Sequence, residues 1–466
     1  MPDDCMASQQ IVFMTKIPTK NPQLSYWLLG IIVLFMPWAV IFFLRVLGPI
    51  TFQPLDAEFL FFLLLNLTAS FVMYSVGYFP LTSRKITNAA HITDDSRTLK
   101  RMFHILYITT IMFGVLAFYD YFFIKGASLS EIVATREKEH ITGPRNSLIG
   151  AVVALLSGAP PLLTALLMTT REVYGQRKLI LYSAVLLGFA AMFLSGGRNP
   201  FFIGLLFIFS LYFFFLRAPS LKRNMKKRPL WFWGAGAAIF IGIIYSMYLF
   251  IERSIYVGVD LDSMLDTLST NYDLSVYSLS FDSEFLHAAY VVAVFLTFYV
   301  THALNYISDY FAASYSPMLD GAYTIPHLAR LIDILIDTDS FNESRSALLV
   351  NGAYLSSPGS FYVDFGYFGA IAISGALSFV FGSLIAQLSR LSMLQKLTFS
   401  YLVVAFIFYP IYCVFGMANG FSIIFLLILM SLSSMKWLNP FFRSVKCRKT
   451  KTMFLKESDI SEQPTA

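Results

Sequence analysis

The chain has 466 residues, of which 57% are hydrophobic and only 13% are charged, and its mean hydropathy is +0.65. A soluble domain carries about 25% charged residues, so this composition excludes a string of soluble domains. The net charge is +6, and its meaning depends on where the charges lie along the chain.

Apolar runs of about 20 residues recur along the chain, each long enough to cross about 30 Å of hydrocarbon. In chain order we predict ten spans, over residues 26–46, 57–78, 102–124, 147–169, 179–194, 200–216, 230–250, 365–389, 398–416 and 420–436. The fold class we expect is therefore all-α, a polytopic transmembrane helical bundle. Residues 1–466 form a single integral membrane domain in this interpretation.

An eleventh apolar stretch, residues 286–301, is ambiguous, and the charges decide how we interpret it. If the N-terminus is cytoplasmic and this stretch does not cross, 25 of the 34 Lys and Arg residues lie on the cytoplasmic side. Cytoplasmic loops of membrane proteins carry such an excess of Lys and Arg. If the stretch did cross, the basic tail at 437–466 would face outward. We therefore predict a re-entrant or interfacial segment, with both termini in the cytoplasm.

The predicted topology leaves two substantial segments outside, residues 125–146 and a long loop region at 251–364. The cytoplasmic loops are short and basic, so we expect the chemistry on the outer face. The basic run at 222–228 fits contact with anionic lipid rather than with nucleic acid. The six histidines show no metal-ligand spacing, so we expect neither a metal nor a cofactor.

Outward arginines are the first candidates for binding, because a guanidinium is always charged and binds phosphate in a bidentate manner. They are Arg136, Arg145, Arg198, Arg253, Arg330 and Arg345. The alternative is that they pair with the outer carboxylates. Arg198 lies in a short turn after two glycines and just before a helix, where backbone amides favour an anion. Its alternative role is that of an interfacial arginine in a tight turn.

A second group of candidates follows the apolar stretch at 286–301. His302, Asn305 and Asp309 would share one face of a helix, with Tyr306 beside them. An imidazole and a carboxylate on one face could act as a general base and its orienting partner. The alternative is the polar end of an apolar helix meeting water. Tyr323 belongs to a further polar cluster at 317–330.

Three segments together resemble the oligosaccharide repeat-unit polymerases, the O-antigen polymerase (Wzy-type) family. They are SGGRNPFFIGLLFIFSLYFFF at 195–215, FYVTHALNYISDYF with SPMLDGAYTIPHLARL at 298–331, and GAYLSSPGSFYVDFGYFGAI at 352–371. The resemblance implies a bacterial inner-membrane enzyme that works at the periplasmic face. Its substrate would be an oligosaccharide carried on undecaprenyl pyrophosphate.

Such an enzyme transfers the growing glycan from its lipid to a new lipid-linked unit, without a nucleotide. The resemblance implies that arginines hold the pyrophosphate, that His302 or Asp309 serves as the base, and that a chain-length regulator is a partner. Asn305, Tyr306 and Tyr323 would bind substrate beside the arginines. Ser147 and Ser356 stand where some family members have the glycine of an Arg-x10-Gly pattern, which shifts our emphasis to Arg198.

Two other functions remain open at this point. An O-antigen ligase has the same general architecture and lipid donor, but it attaches the glycan to a lipid A-core acceptor. A flippase or transporter for lipid-linked oligosaccharide is the alternative from a different class. Transporters place ionisable residues within their spans, and the predicted spans contain almost none.

Overall fold

The computed structural model describes most of the apolar part of the chain. The described residues are 22–83, 96–128, 148–169, 178–194, 198–216, 263–336 except 264, 267, 269, 271–273, 278, 280 and 282, then 343, 346–349 and 355–434. The predicted span at 230–250, most of the outer segment 125–146 and the basic tail at 437–466 lie outside this description.

The described chain is mostly helical, as the sequence predicts. Its helices are α1 Pro22–Leu47, α2 Ala57–Ser83, α3 Ser96–Tyr119, α4 Leu148–Leu156, α5 Ala159–Thr169, α6 Lys178–Leu194, α7 Arg198–Leu211, α8 Glu284–Ala312, α9 Pro326–Ile336, α10 Ser357–Ala386, α11 Met393–Phe408 and α12 Ala418–Ser434. Helices α3 and α7 each continue into a π-helical turn, at Asp120–Ile124 and Tyr212–Leu216. The described sheet consists of β1 Ile50–Thr51 and β2 Ser275–Val276, which pair antiparallel.

Six segments of the described chain are long and apolar enough to cross a membrane. They are Leu24–Leu47, Ala57–Leu81, Thr98–Ile124, Leu148–Thr169, Leu286–Ala312 and Ser357–Ala386. Helices α6, α7, α11 and α12 are apolar but shorter. The coarse prediction of an all-α membrane bundle is therefore confirmed, whereas the count of ten spans stays a prediction.

Helix boundaries follow local capping chemistry where the sequence provides it. Asp56 precedes α2, and its carboxylate accepts the backbone N–H groups of Glu58 and Phe59 at 2.8 and 3.0 Å, which satisfies donors at the helix start. Ser392 and Gln395 form a reciprocal capping box at the start of α11. Helix α10 begins eight residues before the predicted span at 365, because the polar run from Ser357 to Asp364 is buried and helical.

Among the described helices, α2 and α10 share the most extensive contact, and they run parallel. The Asn66 amide donates to Ser374 Oγ at 3.0 Å, and Ser383 Oγ donates to the Gly77 carbonyl at 3.4 Å further along both helices. A Cβ at Gly77 or Gly382 would collide with a backbone carbonyl of the partner helix. Small residues thus allow the two backbones to approach closely, as in other membrane helix pairs.

Helix α8 lies at one end of this pair, which we call the α8 end: the end where α1 finishes and α2 and α10 begin. The last turns of α8 contact the first turns of both helices, with the Phe311 ring 5.1 Å from Phe62 and 4.5 Å from Tyr362. Pairing of β2 with β1 brings the segment before α8 to the end of α1 as well. Both flanks of α8 are therefore tied to the α8 end.

Candidate functional site

A cavity of about 690 Å³ opens at the α8 end, and four of the predicted site residues line it. Its wall is made by the last turns of α8 and by the segment that connects β1 to α2. The lining residues are Gln53, Pro54, Leu55, Asp56, Thr270, Leu274, Phe298, His302, Asn305, Tyr306, Ser308, Asp309 and Ala312. The volume is within the range of ligand pockets, about 300–1,000 Å³. The sequence-based stripe of His302, Asn305 and Asp309 therefore faces a real cavity.

His302 is a buried polar group of this wall, with 5% of its surface exposed. Its Nδ1 lies 3.1 Å from the Phe298 carbonyl oxygen, one turn earlier in the helix. Because a carbonyl only accepts, Nδ1 carries the proton and donates, which makes Nε2 of the neutral ring an acceptor. The imidazole stacks on Phe298 at 5.3 Å, and Tyr306 lies at the same distance edge-on. These contacts hold the ring in one orientation.

Asp309 does not orient His302 in this structure, contrary to the pairing we expected. Seven residues separate the two, which is about 10.5 Å along a helix axis. The group that fixes the imidazole is the Phe298 carbonyl. Asp309 is exposed and lines the same cavity two turns further on, so its carboxylate can meet a ligand independently of the imidazole.

Arg45, in the last turn of α1, supports the cavity wall and was missed from the sequence. Its guanidinium donates to the Asn305 side-chain oxygen and to the Gln53 carbonyl, and it lies 4.8 Å from the centre of the Phe52 ring. Since Asn305 Oδ1 accepts from Arg45, the amide nitrogen is the group that can donate to a ligand. The one available signal was an arginine at the end of an apolar run.

Ser308 joins the two sides of the cavity. Its hydroxyl accepts the backbone N–H of Asp56 at 2.7 Å, while Asp56 itself caps α2. The contact ties the polar stripe of α8 to the start of α2. No sequence pattern indicated this pairing, because 252 residues separate the partners.

Tyr323 and Arg330 belong to a neighbouring segment and are not among the residues that line the cavity. The Tyr323 hydroxyl accepts the Leu355 backbone N–H at 3.2 Å, and its own N–H donates to Asp364 at 2.9 Å. Thr324 also donates its N–H to the Asp364 carboxylate, which is fully buried. Tyr323 thus helps to hold the chain that follows α8 onto α10.

His327 and Arg330 lie on the same face of α9. Burial lowers the pKa of His327 to about 4, and the nearby positive charge of Arg330 acts in the same direction. The imidazole is therefore neutral at physiological pH. Neither residue is joined to the cavity by a described contact.

The remaining predicted arginines are not tested by the structure. Arg136, Arg145, Arg253 and Arg345 lie outside the described residues. Arg198 begins α7, but only its backbone is described. Asn419 of α12 donates to the Pro200 carbonyl and to the Ser157 carbonyl, each at 3.5 Å, which places the start of α7 beside the junction of α4 and α5.

Within the described ranges, no group of three or more His, Cys, Asp or Glu side chains could hold a metal ion. Comparison with known proteins is also negative: no protein family, curated protein or solved structure matches the chain.

Proposed function

We propose that the protein is a polymerase of undecaprenyl-pyrophosphate-linked oligosaccharide repeat units, acting at the periplasmic face of the bacterial inner membrane. The cavity at the α8 end carries this proposal, because it gathers His302, Asn305, Tyr306 and Asp309 into one wall. These residues lie in a segment that resembles the O-antigen polymerase family. They provide a proton acceptor, hydrogen-bonding groups and an aromatic ring at a single place.

The proposal includes a topology of about ten spans, in which α8 does not cross and both termini are cytoplasmic. The contacts of α8 support it. The segment before α8 already lies at the α8 end, so a helix that crossed the membrane from there would end beside the last turns of α2 and α10. Instead, the last turn of α8 contacts Phe62 near the start of α2 and Tyr362 near the start of α10. With the basic loops inside, the α8 end and its cavity face the periplasm.

We assign the cavity to the acceptor sugar and the arginines to the lipid pyrophosphate. The charged groups among the described lining residues are the carboxylates of Asp56 and Asp309, which suit sugar hydroxyls and would repel a pyrophosphate. Asn305 donates to sugar oxygens, and Tyr306 stacks on a sugar ring. Arg198, with Arg136, Arg145, Arg253, Arg330 and Arg345 as further candidates, would neutralise the charge that develops on the leaving pyrophosphate.

At the anomeric carbon, the transfer forms one bond and breaks one. The acceptor hydroxyl attacks the anomeric carbon of the donor glycan, and the bond from that carbon to the pyrophosphate oxygen breaks. Nε2 of His302 takes the proton of the attacking hydroxyl. Undecaprenyl pyrophosphate leaves with the bonding electron pair, so the step needs no nucleotide.

The test is complementation of a deletion strain, with the surface glycan resolved on a gel and expression checked by immunoblot. We expect the deletion to reduce the ladder to core plus one repeat unit, and wild-type protein to restore it. A ladder reduced to bare core would support a ligase or a flippase instead. An unchanged ladder in the deletion would rule out all three functions.

His302→Ala tests the assigned base, with His287→Ala as its matched control. Both histidines lie on α8, but His287 does not line the cavity. We expect His302→Ala to leave core plus one unit at normal expression, because general base catalysis contributes about 10²–10⁴-fold in rate. His287→Ala should keep the full ladder. A full ladder with His302→Ala would contradict the assignment.

A further inference from the structure

On helix α9 the most exposed side chains are apolar rather than polar. Four of its six leucine and isoleucine residues, Leu328, Ile332, Leu335 and Ile336, are 37%, 43%, 69% and 64% exposed. Its polar residues His327, Arg330 and Asp333 are less exposed and fall in the intermediate class. A helix on the surface of a soluble protein shows the opposite pattern, with the apolar face covered and the polar face in water.

The exposed apolar residues form one continuous stripe. Their positions are i, i+4, i+7 and i+8, which lie on a single face of an α-helix. The polar residues lie on the opposite face of the helix and are only partly exposed. The arrangement therefore matches the two sides of an interfacial helix, in which apolar side chains enter the boundary between headgroups and acyl chains.

The position of α9 identifies what this stripe contacts. Helix α9 packs against α4, and α4 opens a membrane-length apolar segment, Leu148–Thr169. Leu148, the first residue of that segment, is itself 55% exposed. The turn before α9 rests on the chain between α11 and α12, since a Cβ at Gly416 would lie 3.4 Å from the Thr324 carbonyl oxygen. The stripe thus lies beside the exposed apolar start of a membrane-length segment at the α8 end of the bundle.

We propose that α9 lies along the membrane surface at the α8 end, with Leu328, Ile332, Leu335 and Ile336 inserted into lipid. The partner is a lipid surface, and the inference stands independently of the proposed polymerase activity. In this position α9 anchors the segment from Leu319 to Thr324, which is hydrogen-bonded to α10 at Val363 and Asp364, at the depth of the lipid headgroups.

Spin labels on α9 test this in proteoliposomes of phosphatidylethanolamine and phosphatidylglycerol. Ile332→Cys and Leu335→Cys are made in a Cys5→Ser, Cys447→Ser background, where Cys413 is buried. We expect both nitroxides to be relaxed by oxygen several-fold more effectively than by a water-soluble nickel chelate. Ser346→Cys, at an exposed position in the same outer region, is the control and should show the reverse preference.

Two outcomes would overturn the proposal. One is nickel access at positions 332 and 335 equal to that at 346, which would place the stripe in water. The other is protection from both reagents with spin–spin broadening, which would show a second copy of the chain covering it. The labelled background protein reports any signal from Cys413, and melting in detergent identifies a variant that has failed to fold.

Discussion

Arg45 shows how one side chain can set the hydrogen-bonding character of another. Its two donor contacts, to the Asn305 amide and the Gln53 carbonyl, join the end of α1 to both walls of the cavity. Asn305 would otherwise be able to rotate its amide and present either its oxygen or its nitrogen. The arginine makes it a donor toward the cavity.

We predict that Arg45→Ala lowers the free energy of unfolding by about 1.5–3 kcal/mol, the usual contribution of hydrogen bonds to a charged group. The measurement is the midpoint of thermal unfolding in detergent. Arg390→Ala is the matched control, because Arg390 is exposed and is the last residue of a 3₁₀ turn. Equal melting of the two variants would show that the Arg45 contacts contribute nothing.

His327 gives a prediction that depends on pH. Its pKa in the folded protein is lowered to about 4. Its contribution to the free energy of unfolding is therefore complete above the unfolded pKa of about 6.5 and is lost as the pH falls toward 4. Between pH 7.5 and pH 5 the imidazole binds a proton in the unfolded chain but stays neutral in the folded protein. This difference lowers the free energy of unfolding by about 2 kcal/mol. His327→Gln should remove this share of the acid sensitivity.

The check compares melting midpoints of wild type and His327→Gln at both pH values. The rest of the chain is identical in the two proteins, so the difference between the two curves isolates His327. Parallel loss of stability in the two proteins would contradict the lowered pKa.

Among the elements, the first turns of α10 carry an unusual amount of buried polarity. Asp364 accepts the N–H groups of Tyr323 and Thr324, and two residues later Gly366 has φ of +68°. A side chain is disfavoured at that dihedral angle, so glycine permits the kink that lets the carboxylate face the 319–325 chain. The sequence showed these residues as a polar run before a span, but it did not indicate that they bind the 319–325 chain.

We predict the stability order wild type, Asp364→Asn, Asp364→Ala. Asparagine keeps one acceptor oxygen, whereas alanine removes the acceptor of the part-buried Tyr323 N–H and of the buried Thr324 N–H, at a cost of up to about 1–3 kcal/mol each. Thermal unfolding in detergent gives the order. Asp320→Asn is the control, because Asp320 is exposed and asparagine tolerates its positive φ of 50°. A stable Asp364→Ala variant would show that these donors find other partners.

At the scale of the whole molecule, the apolar runs located most of the described helices, some of them to within a few residues. Predicted 57–78 corresponds to Ala57–Ser83, and predicted 179–194 to Lys178–Leu194. Hydrophobicity is sufficient there because a membrane helix satisfies its own backbone hydrogen bonds. The helix around 286–301 was harder to delimit, because it continues to Ala312 through polar residues that a hydropathy pattern assigns to a loop.

The candidate site was predictable only where it lies within one helix. His302, Asn305 and Asp309 share a face of α8, and helical periodicity revealed that from the sequence alone. Arg45, Asp56 and Ser308 reach the site through contacts between distant segments, such as Asp56 with Ser308. Periodicity carries no information about such pairings, so the orienting role of the Phe298 carbonyl and the support from Arg45 required the structure.

The parallel pairing of α2 with α10 has a consequence for biosynthesis. Some 270 residues separate the two helices, so α2 enters the membrane long before its partner has been translated. Until then Asn66, fully buried against Ser374 in the finished protein, faces lipid or a helper protein. If translation stalled between the two helices, the unfinished chain would therefore expose this amide within the bilayer. Quality control could use the exposed amide to distinguish an unfinished chain from a complete one.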